Sequence, residues 1–186
     1  MAELRSKNIL LGVGGSVAAV KAPSVVTEIR ERGGNVRVVM TQSAQRFITP
    51  LAMQSVSGYA VVHSLWESEE IDNAMPHLEL GAWAQGFVIV VASANLIARL
   101  AHGFADDAVT ATALVTTAPL LIAPGMETTM WEHQATQANV EVLMERGIHF
   151  VGPVEGRLAS GKEGTGRMAQ PGDIVTALEA AISSSL

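Results

Sequence analysis

Four short segments carry side chains able to do chemistry. Between Pro119 and Trp131 an apolar, strand-like run passes straight into a loop crowded with Met, Glu, Thr and Trp, and Glu127 lies in that loop. A carboxylate in a buried loop is costly unless it is paired or hydrogen-bonded, so Glu127 either faces water or has a task. His77 follows Pro76 and precedes Leu78, Leu80 and Trp83 in an amphipathic pattern, which sets its imidazole near the start of a helix. Histidine can take a proton near neutral pH, although a lone histidine is more often structural. Gly12-Val13-Gly14-Gly15-Ser16-Val17 follows an apolar run and opens a helical pattern, the place where backbone N–H groups receive phosphate. Val17 stands where a dinucleotide fingerprint requires a third Gly or Ala. Met40-Thr41-Gln42-Ser43 offers hydroxyls rather than the acid that holds a ribose diol. These features suit a phosphate monoester; a plain tight turn is the alternative. In Ala92-Ser93-Ala94-Asn95 small residues would let a flat ring approach the backbone, while Ser93 or Asn95 could equally cap the next helix. Asp106-Asp107 reads as such a capping pair, with a subunit-contact or cofactor-loop role as the alternative.

The elements that must position these residues are legible as alternating short and long patterns. Apolar runs at 9–13, 36–40, 87–92, 120–123 and 148–151 have strand length and β-branched content, and helical patterns cover 16–32, 43–57, 77–85, 94–102, 107–117, 129–146 and 171–183. This alternation predicts an α/β fold with one doubly wound parallel sheet and helices on both faces. Ligands of such sheets bind beyond the carboxyl ends of the strands, where all the unusual loops fall. Residues 152–170 are Gly-rich and polar and predict a mobile substrate flap or a plain surface loop.

The 186 residues fit one domain over 1–186, and a hydrophobic content of 48% supplies its core. A net charge of −6 argues against nucleic acid as a partner. The chain has no cysteine, which excludes disulfides, thiolate ligands and thiol proton donors. His63, His102, His133 and His149 share no ligand spacing, so no metal is expected. No uninterrupted apolar run is long enough to span a membrane, and no signal peptide is visible at the start, which predicts a cytoplasmic protein.

Taken in order, these residues resemble the homo-oligomeric flavin-containing cysteine decarboxylases. This family includes phosphopantothenoylcysteine decarboxylase and the peptidyl-cysteine decarboxylases of lanthipeptide and related pathways. The likeness runs from residue 8 to about residue 182. Ala92-Ser93-Ala94-Asn95 matches most of a Pro-Ala-Ser-Ala-Asn-Thr signature, with Val91 and Leu96 as departures. Pro124-Gly125-Met126-Glu127-Thr128-Thr129-Met130-Trp131 matches a Pro-X-Met-Asn-X-X-Met-Trp signature at every fixed position but one. His77 falls where the family keeps its active-site histidine, and Gly164-Thr165-Gly166-Arg167-Met168 matches the end of the substrate flap.

The resemblance implies a Rossmann-like flavoprotein with FMN at a subunit interface, built from trimers and often from four trimers as a dodecamer. It places Gly15, Ser16, Val17, Thr41, Ser43, Ser93, Ala94 and Asn95 at the cofactor, and Met126, Glu127, Ser160 and Arg167 at the substrate. It implies oxidation of a cysteine unit to a thioaldehyde followed by loss of the carboxylate, with His77 managing the proton. Two departures matter. Glu127 replaces an Asn that contacts the substrate carboxylate, and Ser160 replaces a flap cysteine that helps reduce the ene-thiol to a saturated thiol. The expected product is therefore an aminoenethiol, and the expected partner a precursor peptide ending in cysteine. The bacterial coenzyme A enzyme is usually fused to a synthetase domain, which is not expected here. Phosphopantothenoylcysteine decarboxylation is the alternative, and a catalytically silent FMN protein a further one.

Overall fold

A computed structural model describes residues 4–66 and 75–184. Five strands form one parallel sheet: β1 (Asn8–Val13), β2 (Asn35–Met40), β3 (Gly86–Ala92), β4 (Leu120–Pro124) and β5 (His149–Phe150). Their order is β2-β1-β3-β4-β5. The chain changes direction across the sheet between β1 and β3, which leaves a crevice at their carboxyl ends.

The strands read as continuous apolar runs because both faces of the sheet are covered. All seven residues of β3 are buried. Successive side chains alternate between two cores. Leu11, Val88 and Val90 pack with Val25 and Ile29 of α1 (Ala22–Glu31) and Leu178 of α8 (Pro171–Ser184). Leu10, Phe87 and Ile89 face the other way. There they meet Leu80 of α3 (Pro76–Trp83), Ile97 of α4 (Ala94–Ala101), Val109 of α5 (Ala108–Val115) and Leu143 of α7 (Gln134–Glu145). The doubly wound sheet expected from the sequence is therefore present.

Differences lie where proline or a cap interrupts a helical pattern. The stretch 16–32 divides into a 3-10 turn, Val17–Lys21, and α1, which has a proline in its first turn. The stretch 43–57 divides likewise before α2 (Pro50–Ser57), capped by Thr49 through the N–H of Ala52. In 129–146, α6 (Thr128–Trp131) ends before His133 accepts the N–H of Ala135 and starts α7. The 152–170 stretch contains an antiparallel hairpin, β6 (Val154–Arg157) with β7 (Glu163–Arg167).

Candidate active site

The carboxyl ends of β1, β3 and β4 bring the unusual loops together. The N–H of Gly14 donates to the carbonyl of Val90 at 3.2 Å, and that of Gly125 to Ala92 at 3.1 Å, which extends the strand register into the loops. Ser16 Oγ reaches the carbonyl of Gly125 at 3.5 Å and ties the first loop to the last. Gly15 lies so tightly against Ser43 that any side chain there would collide with it. Gly14 is equally confined by the carbonyl of Val91 and by Leu96.

Two cavities adjoin this contact. The first, about 660 Å³, includes Thr41, Ser43, Asn95 and Arg99 in its walls and is mainly polar in composition. The second, about 630 Å³, lies beneath the hairpin. It is lined by Gly15, Ser16, Val17 and Ser93 on one side and by Met126, Glu127 and Arg167 on the other. The sequence-predicted residues thus divide between two adjoining spaces, one hydroxyl-rich and one largely apolar. Ala94, Ser160 and His77 line neither.

Local interactions show how several candidates are already engaged. Thr41 is buried, and its hydroxyl accepts the N–H of Ala44 at 3.1 Å. Ser93 caps α4 through the N–H of Leu96 at 3.3 Å, while Asn95 stands exposed toward the first cavity. Ser160 is exposed in the hairpin turn, where its hydroxyl accepts the N–H of Lys162 at 3.4 Å. His77 sits in the first turn of α3, and its Nδ1 is buried without a hydrogen-bond partner among the described residues. A buried polar atom left unsatisfied costs about 1–3 kcal/mol, and the fold bears that cost at His77. Glu127 is half-buried at the N-cap position of α6, but its carboxyl does not cap that helix.

Sequence reasoning overlooked Lys21, which enters the second cavity from the end of the 3-10 turn. Its signal was available: one cation in an otherwise apolar stretch after a Gly-rich loop. It also overlooked Arg99, whose guanidinium is fixed in the first cavity by Asp106 and by Asp107, the latter at 2.7 Å. The hydrogen bond from Arg99 holds the Asp106 carboxyl below the usual carboxylate range. That contribution is present above the usual carboxylate pKa and is lost as pH falls through the lowered one.

The capping reading of Asp107 is borne out. Its carboxyl accepts the N–H of Thr110 at 2.9 Å in a reciprocal capping box. Asp107→Ala removes this cap and one of the two carboxylates on Arg99. The expected cost is about 1–2 kcal/mol, read as a lowered thermal midpoint.

Among the described residues no group of His, Cys, Asp and Glu could hold a metal ion, and no helix is long and apolar enough to cross a membrane. Hydroxyls beside a glycine cradle, next to an apolar space open to small side chains, fit a phosphorylated planar cofactor. The family profile described as Flavoprotein matches residues 1–183. The chain belongs to the flavoprotein family. This flavoprotein is 47% identical over 172 residues to the coenzyme A biosynthesis bifunctional protein CoaBC of Escherichia coli (strain K12), a match covering 92% of the chain and 42% of the relative. Against CoaBC of Bacillus subtilis (strain 168) the identity is 39% over 176 residues, covering 95% and 43%. The chain spans less than half the length of these curated relatives. Among solved structures, the FMN-dependent cysteine decarboxylase SpaF superposes with a TM-score of 0.84 at 36% identity, covering 98% of each chain. A cysteine-to-serine mutant of PPC decarboxylase complexed with pantothenoylaminoethenethiol gives 0.81 at 31%, covering 97% of this chain and 98% of that one.

Proposed function

We propose that this flavoprotein removes the carboxylate of a cysteine unit and that its substrate is phosphopantothenoylcysteine. The observation that carries the substrate assignment is the charge of the second cavity, where, among the described residues, Lys21, Arg157 and Arg167 accompany a single carboxyl, Glu127. Three cations around an apolar cleft suit a substrate with a phosphate at one end and a carboxylate at the other. The likeness to CoaBC supports the same choice and moves the reading away from the peptide expected from sequence.

FMN is the cofactor. When bound it would supply two-electron redox chemistry at the cysteine unit. Thr41, Ser43 and Asn95 would hold it from the first cavity, and Gly15, Ser16, Val17, Ser93 and Ala94 would support it beside the second. Met126 and Glu127 would face the substrate, with Arg167 above them. His77 would move the proton released by the cysteine thiol. Copies of the chain would assemble as a homo-oligomer, a trimer or a multiple of it.

Because a side chain at position 15 would collide with Ser43, Gly15→Ala is expected to separate the two loops and weaken FMN binding about tenfold or more, or about 1.4 kcal/mol. Flavin fluorescence titration measures this directly.

A second reading, decarboxylation of a peptide ending in cysteine, is favoured by Ser160 in place of a flap cysteine and by the likeness to SpaF. Mass spectrometry after incubation with phosphopantothenoylcysteine, and separately with such peptides, tests both. Loss of carbon dioxide from the phosphorylated substrate supports the proposal. Turnover of peptides alone would replace it, and silence on both would leave a non-catalytic flavoprotein.

A further inference from the structure

The helix that carries His77 is fastened to the sheet by a contact that lies outside both cavities. α3 has little more than two turns, and it buries Pro76, Leu80 and Gly81. Leu80 packs into the core formed with Leu10, Phe87 and Ile89. Apolar burial is non-directional, so it resists withdrawal of the helix but does little against rolling or sliding. His77 is sensitive to both movements. No described residue hydrogen-bonds its buried Nδ1, and the imidazole takes its direction from the helix beneath it.

Arg37 of β2 supplies what this packing lacks. Its Nη1 donates to Glu79 Oε1 at 2.6 Å, and its guanidinium lies over the Trp83 ring, 5.6 Å from the centroid. Glu79 and Trp83 stand four residues apart on one face of α3, so a single planar group grips the helix at two successive turns. A charge-assisted hydrogen bond and a stacked guanidinium are both directional. Together they oppose rolling and sliding. Among the described residues this is the one ion pair that reaches α3. Arg37 is half-buried, so water and salt screen the contact less than they would at the open surface. From Arg37, β2 runs on through Met40 into Thr41 and Ser43 in the wall of the first cavity. The strand that grips the His77 helix is thus the strand that carries the proposed cofactor loop.

Resting on the decarboxylase reading above, we propose that Arg37 and Glu79 are positioning residues that hold His77 in place relative to the cofactor loop. Neither lines either cavity, so their effect on the reaction passes through the imidazole. Glu79 follows His77 by two residues, which sets the two side chains about 200° apart around the helix axis. A roll of α3 away from β2 therefore swings the imidazole on the far side of the axis. Displacing a reacting group by about 1 Å can lower a rate about a hundredfold. An ion pair remote from the site has no such lever. Arg32, held by Glu28 and Glu179 where α1 meets α8, is a pair of that kind, and its loss affects stability alone.

The test is steady-state carbon dioxide release from phosphopantothenoylcysteine by the FMN-loaded full chain and its variants. Arg37→Met and Glu79→Gln are each expected to lower kcat about tenfold or more, with KM and flavin content within about twofold of native. The double variant is expected to lose no more than the worse single one, because both side chains act through one contact. Arg37→Lys, which keeps a cation for Glu79, is expected to recover part of the loss. Glu79→Gln is nearly the same size and leaves Arg37 on Trp83, so it reports even where Arg37→Met fails to fold. A second readout needs no turnover: the imidazole carbon signal of His77 in NMR, identified by its absence from His77→Asn, is expected to shift in both variants. Arg32→Met is the control, expected to lower the thermal midpoint while keeping the native kcat and the native His77 signal. Native kcat or an unmoved His77 signal in Arg37→Met and Glu79→Gln, or an equal fall in kcat in Arg32→Met, would overturn the proposal while leaving the decarboxylase reading intact. Absence of carbon dioxide from the native protein with every cysteine substrate would instead remove the decarboxylase reading, and the positioning role with it.

Discussion

His77→Asn is expected to stop carbon dioxide release while leaving the protein yellow. Asparagine preserves polarity and approximate size but cannot carry a proton between groups. The imidazole stands in the first turn of α3, and that helix returns the chain to the amino end of β3, so its start points toward the carboxyl ends of the strands. Its buried Nδ1 has no partner within the described chain. Loss of a positioned base lowers rates by about 10²–10⁴-fold. Single-turnover carbon dioxide release, set against flavin content by absorbance, measures both halves of the prediction. Unchanged turnover would take His77 out of the mechanism.

The second large effect is expected at Gly166, where the hairpin touches the cavity floor. Its carbonyl accepts the N–H of Met126 at 2.9 Å, and a Cβ at this position would run into the Met126 carbonyl, with the Thr128 nitrogen only 3.2 Å away. Two residues earlier, Gly164 fits against the Thr128 hydroxyl, a buried oxygen without a hydrogen-bond partner among the described residues. Gly166→Ala must lift the hairpin from the loop carrying Met126 and Glu127, displacing Arg167 with it. A misplacement of about 1 Å can cost about a hundredfold in rate. We expect a loss of that order in kcat/KM with flavin content largely retained, because Thr41, Ser43 and Asn95 line the other cavity, away from the hairpin. Native kinetics in this variant would show that the close contact is not needed for turnover.

How much of this was legible in the sequence depended on whether a feature was local. The central strands were readable because burial on both faces leaves unbroken apolar runs, as in Phe87 to Val91, and proline marked the true starts of α1 and α2 only once its place in the first turn was seen. The hairpin was hidden. Glu163-Gly164-Thr165-Gly166-Arg167 has neither β-branched density nor apolar alternation, and its glycines serve contact with α6 rather than strand propensity. The site showed the same division. Gly15, Ser43, Ser93 and Glu127 were found from their own loops, but the collision-close fit of Gly15 on Ser43 is a property of two loops at once. Lys21 and Arg99 were missed because their place in a cavity wall depends on which space a helix side happens to border.

The hairpin also divides the molecule into parts with different freedom to change. At its base, Gly166 grips the Met126 loop, and Met168 and Ala169 just beyond β7 are sealed in the core. At its tip, Ala159 to Lys162 are exposed, and Ala159 reaches the cavity's rim. Mutation at the tip can alter the rim that greets the far end of a substrate without disturbing the base. A lineage of such proteins can thus diversify what it recognises while inheriting its chemistry unchanged.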